Sequence, residues 1–187
     1  TDKDRFAFLI EDDGDVAKRH DLKKLRIPKI RSSQLEPETT SIFALFQYMI
    51  GNVDWAALSG PDPKECCHNV KLIAPRPLQP DDKIIPLPYD FDSSGLVDAS
   101  YAAPPNGLPI NSVTQRLYRG YCNHNSTMEQ ARKLFLDKEA ELLAVVENEP
   151  LLGSGNRKKT LRYLARFFNV LRDQRDYDKL IIGKCRK

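Results

Sequence analysis

Residues 41–54 read SIFALFQYMIGNVD, and this stretch decides the fold around it. Apolar side chains recur in it at intervals of three and four residues, which predicts a buried helix. Pro37 suits the first turn of that helix, where its missing N–H costs little, and Gly51 suits its end. The helix therefore ends directly before two polar residues, Asn52 and Asp54, which we expect at the edge of the core.

Two more polar segments border a predicted β-hairpin. Asn69 precedes an extended run at residues 70–73, and a second run at 84–89 leads into the motif YDFDSSG, residues 89–95. Prolines between the two runs predict a turn, and prolines inside the second run confine it to an edge of the sheet. Because a hairpin brings the start of one strand beside the end of the other, we expect Asn69 and Asp90 to lie close together.

The remaining segments predict a mainly helical α+β domain. We expect a short strand at residues 5–10, a short helix after the acidic residues 11–15, and an irregular loop at 96–111. The last part of the chain predicts a short helix from Ser112, a helix from a Ser-x-x-Glu capping box at 126–129 with one stripe through Val145, a loop at 153–155 and a final long helix through 161–171.

Length and composition limit the function classes. The chain has 187 residues, a mass of 21.3 kDa and 41% apolar residues, which suits one domain, residues 1–187, with its own core. The net charge is only +3, so no strong field indicates nucleic acid as a partner. No apolar run approaches the roughly 20 residues that a membrane-spanning helix needs.

The four cysteines do not form the pattern of a disulfide framework. Cys66 and Cys67 are adjacent, which is poor geometry for a bond between them, and Cys122 and Cys185 are isolated. The short spacing of a zinc site is missing. We therefore expect small buried or half-buried thiols, while a disulfide from Cys122 to Cys66 or Cys67 stays open.

The polar residues at these element ends have the chemistry that phosphoryl transfer needs. The reaction requires a carboxylate to orient or deprotonate the acceptor, and oxygen ligands that hold Mg²⁺ against the phosphates. Asp54 can supply the first, Asn69 and Asp90 can supply the second, and Asp92 can add a ligand. We expect His68 to be a hydrogen-bonded scaffold residue. The alternative for these Asp and Asn residues is a set of hydrogen-bonded turns without catalytic duty.

In this order the motifs resemble the catalytic half of the protein-kinase-like superfamily. Residues 50–54, IGNVD, are similar to the catalytic loop of atypical bacterial branches typified by the spore-coat CotH kinases and the HipA toxins. Asn69 resembles their metal-binding Asn, and residues 89–92, YDFD, resemble their counterpart of Asp-Phe-Gly. The resemblance implies a kinase-like C-lobe that uses ATP and Mg²⁺, with residues 6–11 against the adenine and Glu11 as a nucleotide contact.

The resemblance covers about residues 5–100 and has departures. Fourteen residues separate Asp54 from Asn69, where an ordinary kinase has about four, so residues 56–67 must form an excursion. Asp92 stands where such kinases have Gly. The chain holds no phosphate-covering glycine loop and no strand Lys, so we expect an N-terminal lobe upstream. On that basis we expect this chain alone to bind ATP weakly or not at all and to lack measurable transferase activity, and a protein extended upstream to bind ATP with Mg²⁺.

Several functional alternatives stay open. The acceptor is a protein, a small molecule or the chain itself, and adenylate rather than phosphate could be the group transferred. A pseudokinase that binds nucleotide without turnover would keep the same residues. A basic helix, with Arg157, Lys158, Lys159, Arg162 and Arg166 interleaved with Tyr163 and Phe167, could instead bind nucleic acid, although the low net charge favours a solvated basic face.

Overall fold

The computed structural model describes residues 9–62, 64 and 66–187, and over these residues it is a mixed, mainly helical α+β fold, 44% helix and 11% strand. The helices are α1 Asp13–Arg19, α2 Pro37–Ile50, α3 Met128–Asp137, α4 Glu139–Glu147, α5 Ser154–Arg172 and α6 Gln174–Leu180; the strands are β1 Lys23–Lys24, β2 Val70–Ala74 and β3 Ile85–Pro88. The coarse fold class predicted from the sequence is therefore confirmed. Within the described residues no helix is long and apolar enough to cross a membrane, as the sequence predicted.

Helix α2 begins and ends where its local signals predicted. Pro37 occupies its first turn, and the Glu36 carboxylate caps it by accepting a hydrogen bond of 2.5 Å from the N–H of Thr39. Gly51 ends the helix in the left-handed conformation, with a φ of 66° that a residue without a Cβ adopts freely.

Two apolar clusters meet on α2. On one side Leu45, Tyr48 and Met49 pack against a cluster that includes Phe167 and Leu171 of α5. On the other side Phe43 joins a second cluster, whose buried members include Trp55, Val70, Leu72 and Ile84. The rings of Phe43 and Trp55 meet edge to face, with centroids 4.9 Å apart. Helix α2 is thus shared by the helical part of the molecule and by the part that carries the sheet.

The sheet contains the predicted hairpin and one further strand. Its order is β1-β2-β3 and both pairings are antiparallel, with Val70 opposite Pro88 and Ile73 opposite Ile85. Strand β3 lies at an edge, as its prolines predicted. The sequence did not predict β1, a two-residue strand whose alignment on β2 continues through a hydrogen bond of 2.8 Å from the N–H of Leu25 to the carbonyl of Leu72.

Several sequence predictions about the chain ends were wrong. Residues 5–8 of the predicted first strand lie outside the described residues, and Leu9 and Ile10 are exposed and not in a strand. The segment from Ser112 is not helical, and the capping box at 126–129 does not form because residues 122–127 make a 3₁₀ turn. The apolar stripe is split into α3 and α4, and the final helix already begins at Ser154 and is followed by α6.

The cysteine prediction was also wrong. Cys122 is bonded to Cys185, with Cα atoms 4.9 Å apart, and Cys66 is bonded to Cys67, so all four cysteines are paired. Around the first bond, the N–H of Cys122 donates to the carbonyl of Arg186 at 2.9 Å. The C-terminal segment is therefore tied to the turn that precedes α3, which no local sequence signal indicated.

Candidate functional site

The end of α2 and the segment after β3 are held together by main-chain hydrogen bonds. The N–H of Gly95 donates to the carbonyl of Gly51 at 3.1 Å, and the N–H of Leu96 donates to the carbonyl of Ile50 at 2.9 Å. A Cβ at Gly95 would lie 2.4 Å from the carbonyl oxygen of Val113, so only glycine allows this approach. The motif at 89–95 is thereby fixed beside the loop that begins at Asn52.

Asn52 joins three parts of this region through one buried side chain, which is 1% exposed. Its Oδ1 accepts a hydrogen bond of 2.9 Å from the N–H of Asp54, and its Nδ2 donates to the carbonyl of Asp90 at 3.4 Å. The main-chain carbonyl of Asn52 accepts a hydrogen bond of 3.2 Å from the indole N–H of Trp55. Asp54 and Asp90, distant in sequence, are thus held around the same amide.

Asp54 lies against both residues of the His68–Asn69 pair. Its Oδ1 is 2.8 Å from His68 Nε2, while Asn69 Nδ2 donates to its main-chain oxygen at 2.8 Å and to its Oδ2 at 3.2 Å. A two-bond bridge between Ala56 and His68 closes the excursion, whose position the sequence predicted. His68 is therefore a hydrogen-bonded partner of the Asp54 carboxylate, in keeping with the scaffold role expected for it.

Asp90 and Asp92 are exposed on either side of Phe91, whose ring packs against Phe46 with centroids 5.6 Å apart. Asp90 has a φ of 56°, a left-handed conformation that Asp tolerates better than most residues, and its Oδ1 accepts from the N–H of Asp92 at 3.3 Å. The hydroxyl of Tyr101 donates to Asp92 Oδ2 at 3.0 Å, which lowers the pKa of that carboxyl. Tyr101 itself is exposed.

Glu11 lies in a cleft of about 330 Å³, which is lined by residues 10–13, Lys24, Lys71 and Tyr89. Its carboxylate forms an ion pair with Arg19, with the nearest N–O distance 2.5 Å. The ammonium of Lys71 lies 4.9 Å from the centroid of the Tyr89 ring. Because Tyr89 directly precedes Asp90, this cleft adjoins the segment after β3 that carries Asp90.

The sequence did not predict that two arginines, Arg116 and Arg119, bind main-chain carbonyls at the end of α2 and in the loop that follows it. Arg119 donates to the carbonyl of Val53 and lies over the Trp55 ring, and burial together with the neighbouring Arg186 lowers its pKa to about 10, so it stays charged at neutral pH. Arg116 donates to the carbonyl of Met49 at 2.9 Å, at the C-terminal end of α2 where a cation is favourable. Both arginines lie in the segment from Ser112 that was predicted as a helix. No feature of the sequence indicated that their side chains turn toward the interior.

The oxygen atoms that could hold a cation here are of the hard type that Mg²⁺ prefers. Nδ2 of Asn69 makes both of that side chain's hydrogen bonds, and within the described chain no donor is bonded to its Oδ1. The carboxylates of Asp90 and Asp92 are accessible. No cluster of three or more His, Cys, Asp or Glu suited to a metal occurs among the residues that the structure describes. The oxygen atoms of Asn69, Asp90 and Asp92 are thus of a suitable chemical type for a hard cation, but the described residues do not form an enclosed metal site.

Comparison of this chain with protein-family models, with curated proteins and with solved structures found no match. Its function is therefore argued from its own residues.

Proposed function

We propose that this chain is the catalytic half, or C-lobe, of a kinase-like phosphotransferase that uses ATP and Mg²⁺, of the CotH-like and HipA-like kind. The observation that carries the proposal is the arrangement of Asn69. Its amide nitrogen is engaged by both the main chain and the carboxylate of Asp54, while its amide oxygen is left for a cation.

Asp54 is the residue that orients or deprotonates the acceptor hydroxyl. His68 and Asn69 contact its two oxygens from the same side of the loop, so the carboxylate is held in one orientation. Positioning of this kind is the main contribution a protein makes to phosphoryl transfer, because the reaction needs little covalent help.

Asn69, Asp90 and Asp92 are the residues that would hold Mg²⁺, which supplies neutralisation of the phosphate charge when bound. Asp90 and Asp92 are exposed on either side of Phe91, and Asn52 bonds both the carbonyl of Asp90 and the N–H of Asp54. The cleft with Glu11, Lys71 and Tyr89 is the adjoining space for the nucleotide, with an aromatic ring and a cation beside the metal ligands.

The test is calorimetric titration of the full-length protein with ATP, with and without Mg²⁺. We expect Mg²⁺-dependent binding that Asn69→Ala and Asp90→Ala each weaken by about tenfold or more, since each removes a ligand of a doubly charged cation. Asp81→Asn is the matched control, because Asp81 is an exposed carboxylate in the turn between β2 and β3. Binding that ignores Mg²⁺ and both variants, or no binding at all, would overturn the proposal.

Transfer is then measured with ATP labelled at either the α- or the γ-phosphate. Label from the γ-position appearing on an acceptor or on the protein supports phosphoryl transfer, and label from the α-position would instead indicate adenylyl transfer. Asp54→Asn should abolish transfer and leave Mg²⁺-dependent nucleotide binding in place. Binding without any transfer would make the protein a nucleotide-binding pseudokinase.

A further inference from the structure

Helix α5 carries a set of positive charges that no acidic residue of the helix itself balances. Its sequence, SGNRKKTLRYLARFFNVLR, contains six Arg or Lys residues and no Asp or Glu. The whole chain has a net charge of only +3, so the rest of it is on balance acidic. The positive charge is thus a local feature of this helix, and it calls for a local explanation.

Three of these residues line one cleft. Lys159, Arg162 and Arg166 recur at intervals of three and four, so they lie on one face of the helix. They border a cleft of about 360 Å³, whose other lining residues are Gly95, Leu96, Thr114, Thr160 and Tyr163. A space of this size has room for one anionic group of a larger molecule together with its nearest atoms.

The charges in this cleft do not balance. Lys159 forms an ion pair with Asp98 at 2.6 Å, whereas within the described residues neither Arg162 nor Arg166 has an acidic partner. Two arginines four residues apart on a helix repel each other by a few tenths of a kcal/mol. An oxyanion between them would remove that repulsion and would accept hydrogen bonds from both guanidinium groups.

The cleft is joined to the candidate active site by rigid contacts. Gly95 forms one wall, and it is the residue whose N–H is bonded to Gly51 at the end of α2. Tyr163 forms another wall; Arg116 lies over its ring at 3.7 Å and donates to its carbonyl at 2.7 Å. The same Arg116 bonds the last carbonyls of α2, so cleft and loop are parts of one hydrogen-bonded frame.

We propose that the cleft lined by Lys159, Arg162 and Arg166 binds an oxyanion, a phosphate or carboxylate, that the phosphoryl acceptor carries near its reacting hydroxyl. The acceptor part of this statement rests on the proposed function, whereas the oxyanion site itself does not. The anion is either an acidic side chain of a peptide or a phosphate of a small molecule. A nucleic-acid backbone is disfavoured, because the positive charge is confined to one helix of a chain with little net charge.

The oxyanion site is tested first without nucleotide. Inorganic phosphate and, separately, succinate are titrated into ¹⁵N-labelled protein, and amide chemical shifts are followed. We expect saturable shifts at Gly95, Thr114 and residues 159–166, lost in the double variant Arg162→Gln/Arg166→Gln. Lys158→Gln removes one exposed charge from the same helix away from the cleft and should leave the shifts unchanged. Absent shifts, or shifts that both variants reduce equally, would overturn the site.

The acceptor class is tested by transfer to serine peptides that are acidic, neutral or phosphoserine-bearing, and to small phosphorylated alcohols. The double variant should raise KM for the preferred anionic acceptor by about tenfold or more with little change in kcat, since charge-assisted hydrogen bonds to bound substrate are lost. It should leave a neutral acceptor unaffected. Equal use of neutral and anionic acceptors would overturn the inference and keep the proposed function. If phosphate bound in the cleft but no acceptor were labelled, the oxyanion site would be kept and the proposed function would be overturned.

A nucleic-acid partner is distinguished by a labelled duplex oligonucleotide. If the duplex bound at physiological salt with an affinity that Lys158→Gln and the double variant reduced alike, the basic face of α5 as a whole would be the binding surface. That result would overturn the oxyanion cleft.

Discussion

Residues 52–95 and residues 122–187 are stabilised by different kinds of interaction. The first region adds directional polar contacts to its share of an apolar cluster, such as the buried amide of Asn52 and the bonds that join Asn69 to Asp54. The second consists of helices packed through large apolar side chains, with a disulfide joining its two ends. Polar contacts place side chains accurately at modest net stability, whereas apolar burial supplies most of the stability with little directional control. The comparison predicts that the two regions respond differently to substitution.

The largest expected effect on stability is in the helical region. Phe167 is fully buried and contacts the rings of Tyr48, Phe135 and Phe168. Phe167→Ala should lower the free energy of unfolding by about 4 kcal/mol, from lost burial and the cavity left behind. Denaturant unfolding measures this, with Leu151→Ala at an exposed position as the control, expected within about 0.5 kcal/mol of the parent. If Phe167→Ala lowered the free energy of unfolding less than Asn52→Ala does, the contrast between the two regions would be wrong.

Removal of the Cys122–Cys185 bond should have the next largest effect. The bond closes a loop of 63 residues in sequence separation, and in the chain-entropy account such a loop contributes up to about 4 kcal/mol. Cys122→Ser/Cys185→Ser should therefore lower the free energy of unfolding by that order, measured by denaturant unfolding. The variant and the parent should have the same stability when both are measured under reducing conditions, because the Cys66–Cys67 bond is then open in both proteins. An unchanged midpoint would show that the helical region is held by packing alone.

In the polar region Asn52→Ala should cost about 2 kcal/mol, because it leaves the N–H of Asp54 and the carbonyl of Asp90 without a side-chain partner. It should also reduce Mg²⁺-dependent nucleotide binding, since the loop and the metal ligands lose their common support. Asn106→Ala, at an exposed loop position, is the control for stability. By contrast, Asp90→Asn should shift the melting temperature no more than this control while it weakens nucleotide binding. A large loss of stability in Asp90→Asn would make Asp90 a structural turn residue.

The smallest expected effect is a pH dependence at His124, where the helical region contacts the segment before α2. Burial lowers the pKa of His124 below its ordinary value of 6.5; its Nε2 donates to the carbonyl of Ser32 at 3.1 Å, and its buried Nδ1 has no partner among the described residues. Protonation is thus disfavoured in the folded state, while the nearby Glu36 favours it and Lys83 opposes it. Because the folded pKa is the lower one, this contribution is present above pH 6.5 and is lost as the pH falls.

The measurement compares the free energy of unfolding at pH 7.5 and pH 5.5 in the parent, in His124→Gln and in the exposed-site control His20→Gln. The parent and the control should lose more stability on acidification than His124→Gln does. Equal losses in all three proteins would contradict the assignment.

Local signals were sufficient where an element is decided by its own residues. Helix α2 was predicted with both of its ends because Pro37 and Gly51 act locally, and the hairpin was predicted because alternation and prolines mark it. The capping box at 126–129 failed because Ser126 lies inside a 3₁₀ turn at residues 122–127, so that α3 begins only at Met128. Strand β1 was missed because two lysines carry no pattern, and only pairing with β2 makes them a strand.

The sequence by itself determined that polar residues follow buried elements at three places and that these residues are an Asp, an Asn and an acidic motif. The tertiary structure decided that they meet. The contact between Asp54 and Asn69 depends on the β-bridge between Ala56 and His68, which closes the excursion between them. The number of residues between Asp54 and Asn69 does not reveal that the chain closes in this way. The same holds for the disulfide and for the inward-turned Arg116 and Arg119, because each depends on partners far away in sequence that only the packed chain brings within reach.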